Sequence, residues 1–252
     1  MGELGAVRRY QYWSDRRIRS IAEDNNIDID RRQRLAFRSP AFTLLPQMEI
    51  TKERKAVQRH EVAQRIERAI GRLAVSDFVT PPAAIFAKGR GQVTLAAYTR
   101  WHPEKKSERK GIIAHTRTVS SDGCRIEICL FGSIENCADY LSTGDAETPA
   151  WSSSSTSSIE EFIANRGTKP APIYDDDQSI GVEILRVFNN EGMTGKHIFN
   201  RLNTAEWFAE VYKDVELDKK RWNLRPGEDL PEPVDRIVIG QPLWIRSSNG
   251  QR

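Results

Sequence analysis

His115 and Arg117 are the residues whose type and spacing come nearest to specifying chemistry in this chain. They alternate along a β-like run, Gly111 to Val119 (GIIAHTRTV), which Asp122-Gly123 joins to a second run, Cys124 to Phe131 (CRIEICLF). Asp-Gly suits the positive φ angles of a type I′ hairpin turn. With a two-residue loop, Val119 lies opposite Ile126, Arg117 opposite Ile128 and His115 opposite Leu130. A four-residue loop keeps the same faces, and a three-residue loop reverses them. The even-numbered loops carry His115 and Arg117 onto the apolar face of Ile126, Ile128 and Leu130. A guanidinium there needs an anionic partner, because an unpaired buried charge is strongly disfavoured. That partner is either an internal carboxylate, with His115 in a structural hydrogen bond, or an anionic, nucleotide-like ligand in a pocket.

Two neighbouring segments add to this candidate site. Ala87-Lys88-Gly89-Arg90-Gly91 sets two cations and two glycines ahead of a first strand, Gln92 to Trp101. Such a stretch could cradle a phosphate with its backbone, but it lacks the P-loop spacing and also reads as a plain turn. Gly132-Ser133 ends the third strand before a helix-like segment, IENCADYL. Ser133 fits an N-cap, and a strand-to-helix junction offers free N–H groups to an anion. The candidate anion-binding set is therefore Arg117, His115, Lys88, Arg90 and Ser133.

Catalytic and metal chemistry find less support. His60, His102, His115 and His197 show no metal-ligand spacing, and no G-x-S-x-G nucleophile elbow occurs. Asp175-Asp176-Asp177 offers oxygen ligands, yet consecutive acids project in different directions. Cys124, Cys129 and Cys137 are odd in number and lack C-x-x-C pairing, so they read as reduced, packed thiols. No catalytic residue, metal or cofactor is indicated.

The elements that must position these residues follow from periodicity. Val7 to Trp13 reads as a strand, with Tyr10 and Tyr12 on one face and Gln11 and Trp13 on the other. Ser14 fits an N-cap for a short helix carrying Ile18, Ile21 and Ala22, which stops near Asn25-Asn26. Val62, Ile66, Ala69, Ile70 and Leu73 recur at helical spacing within Thr51 to Leu73, beside a basic stripe of Arg65, Arg68 and Arg72. After the central strands come a Ser-rich loop at 144–158, a capped helix IEEFIANR and a strand from Ile180 to Phe188. Thr204 to Trp222 is expected as a helix with Trp207, Val211 and Val215 on one stripe. RIVIGQPLWIR is expected as two short strands broken at Gly240 to Pro242. The expected fold is one α+β domain over 1–252, a mainly antiparallel sheet built on a central three-stranded meander and packed against several helices, with a flexible loop at 144–158.

Composition sets limits on partners. With 38% apolar and 29% charged residues and no membrane-length apolar run, the chain reads as soluble and cytoplasmic. Charge is uneven: residues 1–118 hold 24 Lys+Arg against 13 Asp+Glu, and residues 119–252 hold 14 against 22. The basic half could face a polyanion or the acidic half.

RRYQYWSDRRI, CLFGSIENCADY and IVIGQPLWIR occur in that order and resemble a bacterial domain family of unknown function. Its members open with a tyrosine-rich strand and Tyr-x-Ser-Asp, carry a central Gly-Ser and close on Gly-x-Pro-Leu-aromatic. The matching positions are Tyr10, Tyr12, Ser14, Asp15, Gly132, Ser133, Gly240, Pro242, Leu243 and Trp244. Trp13 departs from the usual tyrosine, and the Ser-rich loop and the region of Asp175 have no counterpart. The resemblance implies association with bacterial signalling or defence systems. Three functions remain open: a non-catalytic sensing or adaptor module that binds a small anionic ligand or a protein partner; a nucleic-acid-binding protein that uses the basic half; and a metal-dependent hydrolase or nuclease.

Overall fold

The structure, a computed structural model, describes residues 9–29, 47–78, 86–102, 107–138, 198–217 and 234–247. At 47–57, 97–102, 107–110 and 198–199 the backbone alone is described. In chain order the elements are β1 (Arg9–Trp13), α1 (Asp15–Asp24), α2 (Gln47–Ile70), β2 (Ala74–Val75), β3 (Phe86–His102), β4 (Ser107–Val119), β5 (Arg125–Ser133), a 3₁₀ turn (Ile134–Asn136), β6 (Ile198–Glu216) and β7 (Arg236–Ser247).

Five of these strands close into a barrel. β3 pairs with β4, β4 with β5, β5 with β7, β7 with β6, and β6 returns to β3. All pairs are antiparallel except β5 with β7. Counted within the barrel, the order is 1-2-3-5-4 and back to 1, with the third and fifth strands parallel, which is the strand order of an OB-type Greek-key barrel. This corrects the expected α+β sheet packed on several helices: strands dominate, and the described residues hold two α-helices. The Ser-rich loop, the IEEFIANR segment, Ile180 to Phe188 and Asp175 to Asp177 lie outside the described residues.

Closure depends on the length and bending of β3. Its 17 residues serve β6 along Phe86–Ala96 and β4 along Thr94–His102, with register slips at Gly91/Val93 and Leu95/Ala96. Such bulges curl a strand and let a sheet meet itself. Gly89 is needed where the curl is tight, because a Cβ there would stand 2.5 Å from Cζ2 of Trp207.

Side chains of period two fill the interior. Ala87, Val93 and Leu95 meet Ile112 and Ala114, Ile126, Ile128 and Leu130, Trp207 and Ala209, and Val238. A second core lies outside the barrel wall, where Ile18, Ile21, Ala22, Val62, Ala63, Ile66 and Ile70 from the helices cover Phe86, Phe208, Leu243 and Trp244. Each helix thus buries one stripe against the barrel, although Ala69 and Leu73, expected on that stripe, are exposed.

β1 seals one end. A register slip between Tyr10 and Tyr12 sends Tyr12 into the barrel core while Tyr10 and Trp13 join the outer core. The alternating faces expected for this strand are corrected by that bulge. Tyr12 accepts a hydrogen bond from Asn136 Nδ2 at 3.1 Å and rests where a Cβ on Gly132 would clash. Trp13 stacks on Trp244, and the backbone N–H of Ser14 donates to Leu243 O at 2.9 Å. The three short motifs are therefore one packing contact. Ser14 does precede α1, but its side chain makes no capping bond.

Two further expectations are corrected. Of the segment read as a helix from Thr204 to Trp222, residues 204–216 belong to β6, because Ala205, Trp207 and Ala209 face the barrel core while Phe208 faces the helices, and residues 218–222 lie outside the described residues. An apolar-rich run satisfies both a period of 2 and a period of 3.6, and pairing on both edges decides for strand. RIVIGQPLWIR is a single strand, β7, whose register against β6 slips on both sides of Ala209↔Pro242. A bulge is one of the few sheet sites that tolerates proline.

Candidate functional site

The hairpin between β4 and β5 closes differently from the two-residue expectation. Only Gly123 in this turn has positive φ (88°), and Val119 pairs with Arg125. Gly123 N–H donates to Ser120 O, and Ser120 N–H donates to Cys124 O, both at 2.9 Å. These bonds enclose a three-residue loop with a glycine bulge. Its odd length reverses the faces: Arg117 pairs with Glu127 and His115 with Cys129, on the outer wall of the barrel. The apolar interior at Ile126 and Ile128 receives Thr118 and Thr116 instead.

On the outer wall, Glu127 draws both residues together. Arg117 Nε lies 2.6 Å from Glu127 Oε1, and His115 Nε2 is bonded to Glu127 Oε2. The Glu127 side chain is 4% exposed, His115 13% and Arg117 58%, so the carboxylate is buried while the guanidinium remains open to solvent. An internal carboxylate therefore answers the demand for a partner. Cys129 offers no nucleophile beside this cluster, since burial first and the Glu127 charge second push its thiol well above the ordinary range.

The same face continues across neighbouring strands. Thr94 pairs with His115 on one side and with Arg201 on the other, so Arg201, Thr94, His115 and Cys129 form one transverse row over β6, β3, β4 and β5. Arg90 lies on this face four residues before Thr94 and pairs with Glu206. Glu206 is engaged by Arg246 Nε at 2.7 Å, and Arg246 also reaches Glu67 at 3.2 Å. Arg90 and Arg201 are exposed, and neither makes an ion pair among the described residues. Gln92 and Thr94 lie between them, exposed and half-buried.

The structure thus divides the sequence-derived set. His115 and Arg117 meet on Glu127, and Arg90 shares their face. Lys88 lies on the same strand but donates through Nζ to Gly71 O at 3.2 Å, capping the turn that follows α2. The glycine-flanked cations are not a loop cradle, because Lys88 and Arg90 stand inside a long strand. Ser133 pairs with Gly111, six residues along β4 from Arg117, roughly 20 Å at strand rise. The helix expected after it is a 3₁₀ turn of 3 residues, and Ser133 makes no side-chain cap. Arg201 was missed because the helix expected over 204–222 left it in no element; reading the run as a strand puts it opposite Thr94.

Other chemistry finds no constellation here. Among the described residues no group of three or more His, Cys, Asp or Glu converges as a metal site. Cys129 and Cys137 are buried, and Cys124 is partly covered. No described helix is long and apolar enough to cross a membrane. Comparison with protein-family models, with curated proteins and with solved structures finds no match for this chain.

Proposed function

We propose that this protein is a non-catalytic binding module that takes single-stranded nucleic acid across the outer wall of β6, β3 and β4, chiefly through phosphate contacts. The observation that carries this reading is the pair Arg90 and Arg201, two exposed cations that make no ion pair among the described residues, on the face that also presents Arg117. Their spacing suits an extended backbone. Strand rise and strand separation put Arg90 and Arg117 roughly 8 Å apart and Arg117 and Arg201 roughly 12 Å apart, one to two phosphates along a single strand. Glu127 and Glu206, the acids on the same face, are already neutralised by Arg117 with His115 and by Arg246.

The strand order adds support of a weaker kind. OB-type barrels bind oligonucleotides on their outer strands, although a fold alone does not set a function. Here the outer positions of β5, Glu127, Cys129 and Phe131, are buried, so the open part of the wall is displaced toward β3 and β6. A small-anion pocket centred on Arg117 is less favoured, because Glu127 holds its Nε and the rest of the side chain, 58% exposed, stands open to solvent and is not enclosed. On the reading proposed here the module is the recognition part of a larger signalling or defence system, as the resemblance of its three motifs implies.

Fluorescence anisotropy of a labelled oligothymidylate over a salt series tests the proposal. Three phosphate contacts to a single strand give a log–log salt slope of about −2. Replacing Arg90 and Arg201 together should leave a slope of about −0.7. Absence of binding at low salt would refute it.

A further inference from the structure

The open part of the outer wall is irregular at one point. Gly91 pairs with Ala205 and Val93 with Leu202, so two residues of β6, Asn203 and Thr204, stand opposite the single residue Gln92 of β3. A two-against-one bulge re-aims side chains, and such bulges are over-represented beside functional sites. On either side of this one, Leu202, Ala205 and Val93 enter the barrel core. Gln92 and Asn203 point the other way and are exposed. The main-chain O of Gln92 accepts from Thr116 Oγ1 at 2.7 Å, which holds the strand against β4. The side-chain amides of Gln92 and Asn203 make no hydrogen bond among the described residues.

These two amides lie between the cations of the wall. Arg90 stands two residues before Gln92 on β3, and Arg201 two residues before Asn203 on β6, each step roughly 7 Å at strand rise. A single strand with phosphates on Arg90 and Arg201 therefore lays the base between them over Gln92 and Asn203. A carboxamide presents an acceptor oxygen and a donor N–H₂ side by side. Adenine presents the complementary pair, an N7 acceptor beside the N6–H₂ donor, and Asn or Gln meets it with two hydrogen bonds. An unpaired strand leaves both the Watson–Crick and the Hoogsteen edges of its bases open to such reading.

We infer that Gln92 and Asn203 read the base, and that the strand this wall prefers carries adenine. This rests on the function proposed above and divides its labour. Arg90 and Arg201 hold phosphates whatever the sequence, and two uncharged amides choose among the bases without releasing counterions.

The test measures oligodeoxyadenylate and oligothymidylate of about twelve nucleotides against the full chain by anisotropy over a salt series. The wild type should bind the adenine strand tighter by about fivefold or more, the discrimination expected of one good bidentate contact. Both strands should give the same log–log salt slope of about −2. Gln92→Ala/Asn203→Ala should lose the preference and keep that slope, whereas Arg90→Gln/Arg201→Gln should flatten the slope. Gln92→Leu, close in size to the native residue, covers the case in which the double alanine variant misfolds, and should still lose most of the preference. If the wild type binds the two strands equally, or favours thymidylate, with the slope intact, this inference is overturned and the phosphate-binding wall stands. A preference that survives in both amide variants would likewise overturn it. If the wild type binds neither strand at low salt, the proposed function is overturned with it.

Discussion

Replacing Glu127 by glutamine should weaken the fold and strengthen nucleic-acid binding at once. The carboxylate is buried and accepts from His115 Nε2 and Arg117 Nε. A glutamine can accept through one atom only, so one charge-assisted bond is lost and one amide N–H₂ faces a donor. Losing such a bond to a buried acceptor costs about 1–3 kcal/mol. The share due to Arg117 is small, because that side chain is 58% exposed and solvent screens it. For a chain of this size about 2–4 °C of melting temperature accompanies each kcal/mol, which gives a drop of about 2–12 °C. Binding moves the other way. Removing a negative charge roughly 6 Å from a docked phosphate relieves about 0.7 kcal/mol at the dielectric of water, or about threefold in Kd. Differential scanning fluorimetry and anisotropy at about 0.01 M salt, where the Debye length is about 30 Å, measure the two effects on one preparation. A variant that melts with the wild type, or that binds more weakly in step with its lost stability, would refute the role given to Glu127.

Other substitutions test the frame that holds this wall. Gly89→Ala should lower stability by about 1–3 kcal/mol through overpacking against Trp207, seen as an earlier urea midpoint and a shifted tryptophan emission. Arg236 is buried, binds both Asp214 oxygens at 2.5 Å and donates to Phe78 O at 2.5 Å. Asp214→Ala should therefore cost about 3–5 kcal/mol by stranding a buried cation, whereas Arg236→Met with Asp214→Leu should cost much less in the same urea experiment. Burial raises the thiols of Cys129 and Cys124 above their ordinary range, so at pH 8 both remain protonated. Ellman's reagent should react far more slowly with the native chain than with the unfolded one, which exposes all 3 cysteines.

The central strands were legible because alternation and a turn signal agreed: runs expected at Gln92–Trp101, Gly111–Val119 and Cys124–Phe131 lie within or beside β3, β4 and β5. Their faces were not. Asp122-Gly123 suits a two-residue turn by composition, yet Ser120 accepts from Cys124 N through Oγ at 3.1 Å and also bonds Asp122, which holds the wider loop. One residue of loop length moved Arg117 from the core to the wall. Barrel closure was also hidden, since β6 carries an apolar pattern that fits a helix as well, and its partners on both edges are distant in sequence. Arg90 was visible as a charge in a glycine-flanked stretch, but that it makes no ion pair among the described residues goes with Arg246, more than 150 positions away, holding Glu206. The Tyr10–Asp15, Gly132-Ser133 and Gly240–Trp244 motifs could be noticed in the chain, and only the fold shows that they meet where β1 seals the barrel.

The salt dependence of oligothymidylate binding by the wild type and by Arg90→Gln/Arg201→Gln tests the central claim most directly. The wild type should bind with a log–log slope of about −2, and the double variant should lose about 1.4 of that slope while melting normally. Equal slopes in the two proteins, or no binding by the wild type at low salt, would contradict the assignment of the β6–β3–β4 wall as a nucleic-acid face.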